Sequence, residues 1–589
     1  MRRWSPGNHE GMPKMNREWG FSYMQAVFVL LLSAVDSFSL SAQPERSDLT
    51  HADTLRGALS PDRTCYDVTY YHLDVRIDPS DSSVRGANTI TFVATEPVRR
   101  MQIDLFRSME ITEIRLDSGG PPLRFARDGD AFFVDVPREL PKGSHHSLRI
   151  AYEGKPLVAK NPPWQGGFTW ERDRRGKPWV VVTCQGIGAS LWWPNKDQQA
   201  DEPDSMRISI TVPPGLQDIS NGRLRNSQVQ ADGWVRYDWF VSAPINNYSV
   251  TVNIGSYAHF SDMFVGADTV TLDYYVLPEN LEKARGHFAQ VKDMMKCFEE
   301  HFGPYPFARD GYKLVECPHT GMEHQSAVAY GNWYLGGYRG RAPAEVGLTF
   351  DFIIIHESAH EWWGNSVTAK DVADMWIHES FGAYAEALYV ECLHGYQASL
   401  AYINGKKPGV GNRAPIIGVY GVNRPGSGDR YNKGQLMLNT LRSVIDNDSL
   451  WFATIKGLAT TFRWRTVEGE EVFAYVQAAT GNDYRYFFDQ YLRFPNIPVL
   501  EVGVTKRGNR ISARYRWNAD VRDFRMPVRV TLGEGEWGWI RPTTDWQTLV
   551  LGMIHPEEFR LEADRFYADL KLSWTYLDER TPERTREAK

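Results

Sequence analysis

At 589 residues, 42% hydrophobic, 24% charged and carrying a net charge of -7, the chain has the length and composition of three to four globular domains with sizeable cores. No long basic run breaks this balance, which argues against nucleic acid as a partner, and there is no internal repeat or low-complexity tract. Aromatic residues make up 13%, with 20 Trp, a usage that accompanies large β-domains and aromatic-lined clefts.

The first forty-odd residues have the pattern of an export signal, placed at 1–43. Arg2, Arg3, Lys14 and Arg17 precede an apolar run from Met24 to Val35, and Ser39-Leu40-Ser41-Ala42-Gln43 offers a small residue at a cleavage point. The apolar run is too short to span a bilayer comfortably, so the expectation is an exported protein, periplasmic or secreted, with no stable membrane insertion after cleavage. A disordered tail or a membrane anchor is the alternative, and Met15 is a second candidate start. The five cysteines, Cys65, Cys184, Cys297, Cys317 and Cys392, are scattered without metal-type spacing. They allow at most two disulfides, whose pairing the spacing leaves open.

From Cys65 to Tyr257 the period is two. Tyr71, Leu73, Val75 and Ile77 alternate with polar residues, and turn clusters such as Asp78-Pro79-Ser80-Asp81 punctuate the runs. This reads as one large β-domain of sandwich type, at 60–262. After Pro278 the period lengthens: Leu281, Ala284, Phe288, Val291, Met295 and Phe298 form one helical stripe, ended by Gly303-Pro304. The segment 263–496 is helix-rich. From Pro498 the period returns to two, with Gly508-Asn509 as a hairpin turn, giving a small β-domain at 497–576. A charged tail, 577–589, is expected to be disordered.

The helical segment holds the stretch that carries chemistry, HESAHEWWGNSVTAKDVADMWIHE, from His356 to Glu379. His356 and His360 are four apart and project from one helix face, the spacing two imidazoles need to bind one metal ion. Glu357 is rotated roughly 100° from His356 around the axis, beside the metal rather than on it, where a general base takes a proton from water. Glu379 supplies a third ligand. Two histidines, one carboxylate and one open position describe a catalytic zinc site, not a closed structural one. The blander alternative, two surface histidines, conflicts with the apolar Phe352-Ile353-Ile354-Ile355 just before them. Asp374 is a candidate cap for the helix carrying Glu379, and Gly364-Asn365 could close the helix carrying the histidines.

With these residues the chain resembles the gluzincin aminopeptidases, the family of aminopeptidase N and the leukotriene epoxide hydrolase. The resemblance runs from about Tyr66 to Trp574 and includes Trp362-Trp363-Gly364-Asn365, Trp376 and Phe302-Gly303-Pro304-Tyr305-Pro306-Phe307. It implies a multidomain α+β fold: an N-terminal β saddle, a thermolysin-like, mostly helical catalytic domain and a small C-terminal β-sandwich. The long helical C-terminal domain of many members has no counterpart in this sequence. It also implies one Zn2+ ion, held by His356, His360 and Glu379, and peptide substrates.

Further site residues carry over from the same resemblance. Gly321-Met322-Glu323 stands where the family has its Gly-x-Met-Glu-Asn signature, which makes Glu323 the anchor for a substrate's free ammonium. Tyr330 matches a family tyrosine seven positions on. Tyr431, in Tyr431-Asn432-Lys433-Gly434, matches a tyrosine that donates to the oxyanion. Gln185, in Thr183-Cys184-Gln185, resembles the glutamine that the saddle lends to the site. The sequence departs from the pattern at Thr320, His324, His378 and Ile187, where relatives carry glycine, asparagine, asparagine and often glutamate. His324 is therefore a candidate for titration near neutral pH. The expected activity is zinc-dependent removal of N-terminal residues, with Glu357 as general base. Epoxide hydrolysis, alone or beside peptidase activity, is the alternative from another reaction class, and a non-catalytic binding module is the third.

Overall fold

The structure is a computed structural model that describes residues 49–117, 120–552 and 555–577. The expected signal segment and the tail beyond Leu577 lie outside the described residues. The chain enters through a short helix α1 (His51–Gly57), started by a capping box in which Thr50 and Asp53 bond reciprocally through side chain and backbone. It then builds the β saddle around a seven-stranded sheet. The central strand of that sheet, Tyr66–Asp78, pairs antiparallel with Ser83–Ala94 and parallel with Ser205–Val212. Alternation buries Tyr71, Leu73, Val75 and Ile77 on one face, as period two requires.

A five-stranded sheet comes next, in the order Ala258–Val265, Thr269–Val276, Tyr312–Glu316, Val328–Tyr330, Gly321–Met322. Its two faces belong to different cores. Leu314, Val328 and Tyr330 pack with the catalytic helices, whereas Val315, Met322 and Ala329 pack into the saddle. The short strand Gly321–Met322 is thereby fixed at the seam between the two domains.

The single helix expected over Leu281–Phe298 is two. Leu281–His287 ends at a joint where the ring of Phe288 meets that of Tyr330 edge-on at 4.9 Å, and α2 (Gln290–Phe302) follows, stopped by Gly303 at φ +91°. The catalytic core is completed by α3 (Phe352–Ala359), α4 (Trp376–His394) and α5 (Asn432–Ile445). A disulfide, Cys297–Cys392, ties α2 to α4. The C-terminal strands Val499–Arg507 and Arg510–Asn518 form the expected hairpin about Gly508-Asn509, and their buried face is continuous with the catalytic core. No helix among the described residues is long and apolar enough to cross a membrane.

Candidate metal centre

Helix α3 starts where Asp351 accepts hydrogen bonds from the backbone N–H groups of Ile353 (2.9 Å) and Ile354 (3.4 Å). Asp351 is itself held by the hydroxyl of Tyr330 at 2.8 Å, so the tyrosine matched by resemblance anchors this cap. Ile353, Ile354 and Ile355 are buried, and their burial turns His356 and His360 inward. His360 sits at the C-cap of α3. The chain reverses at Gly364, φ +128°, with Asn365 N–H closing onto the His360 carbonyl at 2.9 Å. Helix α4 then returns across α3 with Glu379 in its first turn. The crossing is close at Gly382, where a side chain would begin 3.1 Å from the His360 ring. The expected cap at Asp374 is not made. Its carboxylate is taken by the Trp376 indole (3.1 Å), the Gly469 N–H (2.9 Å) and Tyr420, so it ties α4 to a later helix instead of capping its own.

His356 Nε2 and His360 Nε2 lie 3.3 Å apart, and a Glu379 oxygen lies 3.7 and 3.5 Å from them. Each imidazole is oriented through its other nitrogen: His356 Nδ1 donates to Glu386 at 2.8 Å and His360 Nδ1 to the Trp363 carbonyl at 2.8 Å. With the protons committed to Nδ1, two bare Nε2 lone pairs and a carboxylate converge on one point. A bound cation satisfies that arrangement, and the donor set N, N, O within 4.8 Å fits zinc. Burial pushes His360 down to about 4, keeping it neutral. Glu379 is also buried, yet the His356 and His360 imidazoles and the Arg430 guanidinium beside it hold it below the usual carboxylate range.

The remaining candidates gather around this point. Glu357 is buried and accepts no hydrogen bond from any described residue. Burial holds its carboxyl above the ordinary range, and a Cβ at Gly321 would come within 2.6 Å of Ile353 Cγ2 and 2.9 Å of Glu357 Oε1, so a glycine lets the signature strand pass this close to Glu357. Met322 pairs with Ala329 and is buried. Glu323 is 2% exposed, and burial together with the charges of Glu379 and Glu357 raises its carboxyl. Gln185 reaches across from the saddle, its amide donating to Glu323 at 2.5 Å and to Glu379 at 3.0 Å. Tyr431, immediately before α5, stands with its ring 6.0 Å from that of His356. Burial and the Glu379 charge keep its hydroxyl protonated.

His324 does not titrate near neutrality as its residue type suggests. It is 1% exposed, neither ring nitrogen has a partner among the described residues, and burial lowers it to about 3. His378 is likewise neutral, its Nε2 accepting from the Ala369 N–H at 2.8 Å. Two residues of the site escape sequence reading. Glu386 buttresses His356, and its other oxygen accepts from Tyr402 (2.6 Å) and Lys406 (2.8 Å). Tyr248, from the saddle, places its hydroxyl 3.4 Å from His378 Nδ1. Glu386 had one signal, its position seven residues beyond Glu379 on the same helix face; Tyr248 had none.

Residues 67–248 match the Peptidase M1 N-terminal domain and residues 287–491 the Peptidase family M1 domain, together well over half of the chain. The chain belongs to peptidase family M1. Among curated family M1 relatives it is 21% identical over 463 residues to probable aminopeptidase 1 of Saccharolobus solfataricus, covering 75% of this chain and 55% of that protein. It is 22% identical over 379 residues to endoplasmic reticulum aminopeptidase 1 of Mus musculus, covering 62% of this chain and 39% of that protein. It is also 22% identical over 440 residues to leukotriene A-4 hydrolase of Xenopus laevis, covering 70% and 68%. The chain thus spans only about two fifths to little over half the length of the first two. A crystal structure of an M1 zinc metallopeptidase from Deinococcus radiodurans shares the fold, with TM-score 0.61 at 20% identity over 76% of this chain and 97% of that one. A mutant of that metallopeptidase with a Tyr-Ser-Ala substrate bound gives TM-score 0.60, with 73% and 95% covered.

Proposed function

We propose that this family M1 chain is a zinc-dependent aminopeptidase that hydrolyses the N-terminal peptide bond of peptides, with one zinc ion held by His356, His360 and Glu379. The observation that carries the reading is the buried carboxylate of Glu323, set at the domain seam next to both the base Glu357 and the ligand Glu379. Beside a substrate's ammonium that carboxyl ionises, and the resulting pair limits how far the chain enters, so that the first peptide bond falls beside the ligand set. Zinc, when bound, supplies a Lewis acid and lowers the pKa of water. Glu357, which no hydrogen bond from the described residues occupies, takes the proton from the attacking water and delivers it to the departing amine. The Tyr431 hydroxyl donates to the developing oxyanion, and Gln185 keeps Glu323 and Glu379 in register. The relative from Deinococcus radiodurans, with its bound Tyr-Ser-Ala, supports peptides as the substrate class. Epoxide hydrolysis is not favoured: the match to the Peptidase family M1 domain and the aminopeptidases among the relatives support peptide hydrolysis instead.

Export to an oxidising compartment, periplasmic or secreted, is part of the same proposal. The Cys297–Cys392 disulfide supports it, since such bonds persist outside the reducing cytosol, and so does the charge and apolar pattern of residues 1–43. The test is a purified protein with measured zinc content, assayed on a panel of aminoacyl-arylamides and their N-acetylated forms. Cleavage of the free-amine substrates alone is expected, abolished by a chelator and restored by zinc. No cleavage of any free-amine substrate with zinc bound overturns the reading.

A further inference from the structure

Gln185 is a saddle side chain that bonds to both Glu323 and Glu379, yet it stands on a loop that turns through two glycines with positive φ, Gly186 (+74°) and Gly188 (+94°). Such a loop does not fix a side chain by itself. What holds it is α1, which precedes both family-matched ranges. Arg56 of α1 donates to the carbonyl of Ile187 at the loop's apex and pairs with Asp197 at 3.2 Å. Asp197 in turn accepts from the N–H groups of Ala189 (3.2 Å) and Ser190 (3.1 Å) at the loop's exit. A side chain at Gly188 would collide with both Arg56 and Asp197, so the loop is moulded to the guanidinium.

The other side of α1 grips the catalytic domain. Asp53 pairs with Arg424 at 2.8 Å and takes the Asn423 N–H on its carbonyl at 3.0 Å, while Gly57 lies directly on the backbone of Val422. The segment it grips leads within a few residues to Tyr431. Arg56, Gly186, Tyr248 and Asn423 line one small cavity of about 40 Å3, which places the helix, the Gln185 loop and the catalytic segment around a shared space.

We propose that α1 is a brace between the saddle and the catalytic domain and that Arg56 is a positioning residue for Gln185. The consequence for substrates rests on the aminopeptidase reading above; the mechanical claim does not. Without Arg56 the apex carbonyl loses its donor and Asp197 its cation, the loop opens, and Gln185 no longer holds Glu323 in place to receive an ammonium. The loss falls on binding of the free amine more than on the chemical step.

The test uses the full chain with Arg56→Ala, Arg56→Lys, Gln185→Ala and the double variant Arg56→Ala/Gln185→Ala. Hydrogen exchange of the segment 184–190 is expected to accelerate in Arg56→Ala, beginning with the Gly188 N–H that bonds to the Cys184 carbonyl at 2.7 Å. On aminoacyl-arylamides KM rises about 5–10-fold with kcat within about 2-fold. Arg56→Lys, which keeps the charge but not the forked donor, recovers part of both effects and serves if the alanine variant does not fold. The double variant is no worse than Gln185→Ala alone. Unchanged exchange at 184–190, or additive KM effects, overturns the brace. Faster exchange in a protein that cleaves no arylamide upholds the brace and counts against the aminopeptidase reading instead.

Discussion

His356 gives its Nδ1 proton to Glu386 at 2.8 Å, and Glu386 spends its second oxygen on Lys406 and Tyr402. The carboxylate is 1% exposed, so it cannot exchange these partners for water. It fixes which nitrogen of His356 carries the proton and where the other one points, without touching the metal position. Partners of this kind are worth about 10–100-fold in metal affinity. Glu386→Ala is therefore expected to weaken zinc binding by that factor, read by competition with a coloured chelator. An unchanged zinc affinity shows that α3 alone orients His356.

Glu357 has a different task, and its substitution separates metal binding from chemistry. The side chain lies beside the ligand set and accepts no hydrogen bond from the described residues, so Glu357→Gln leaves His356, His360 and Glu379 as they are. A general base contributes about 10²–10⁴-fold. The variant should carry zinc at the wild-type ratio while turnover falls by at least 100-fold. Zinc content is measured on the same sample as activity, and retained turnover removes Glu357 from its role.

Much of this centre was legible because it is local. Two histidines one helical turn apart, an acid between them and a carboxylate on the next helix are properties of spacing, and spacing is what a helix turns into geometry. The hairpin at Gly508-Asn509 was legible for the same reason. Asp374 misled because a carboxylate before a helix is equally suited to cap it or to reach elsewhere, and the indole of Trp376 and the N–H of Gly469 were the nearer claimants. His324 misled because a residue type fixes only an unperturbed pKa, and burial decides the rest. Arg56 and Tyr248 could not be found at all. They arrive from the N-terminal helix and from the saddle by long-range packing, which leaves no periodic trace.

Tyr431 offers a test of the oxyanion role independent of the metal. Burial and the neighbouring Glu379 raise its pKa, so the hydroxyl keeps its proton through the working pH range and remains a donor. Tyr431→Phe preserves the ring against His356 and deletes only that donor. Loss of one oxyanion donor costs about 10²–10³-fold in kcat, and KM should change little because the bond strengthens only as charge develops. Equal losses in binding and turnover show instead that Tyr431 contacts the substrate's ground state.

Acid should destabilise the catalytic domain through His324, and the sign follows from its neutrality. In the fold its pKa is lowered from 6.5 to about 3, first by burial and then by the nearby His319. The unfolded chain binds a proton below pH 6.5 that the native chain refuses. The stabilisation is thus complete above that value and is lost as pH falls towards 3. Each pH unit in the window costs about 1.4 kcal/mol per such histidine, or about 2 kcal/mol between pH 6.5 and pH 5. His324→Asn, which restores the amide that the resemblance places there, removes this one proton uptake. The pH dependence of its denaturant midpoint over the window should be shallower than that of the wild type by that amount. Parallel curves for the two proteins mean that His324 takes up its proton in the native state, contrary to the sealed, unpaired environment in which the fold holds it.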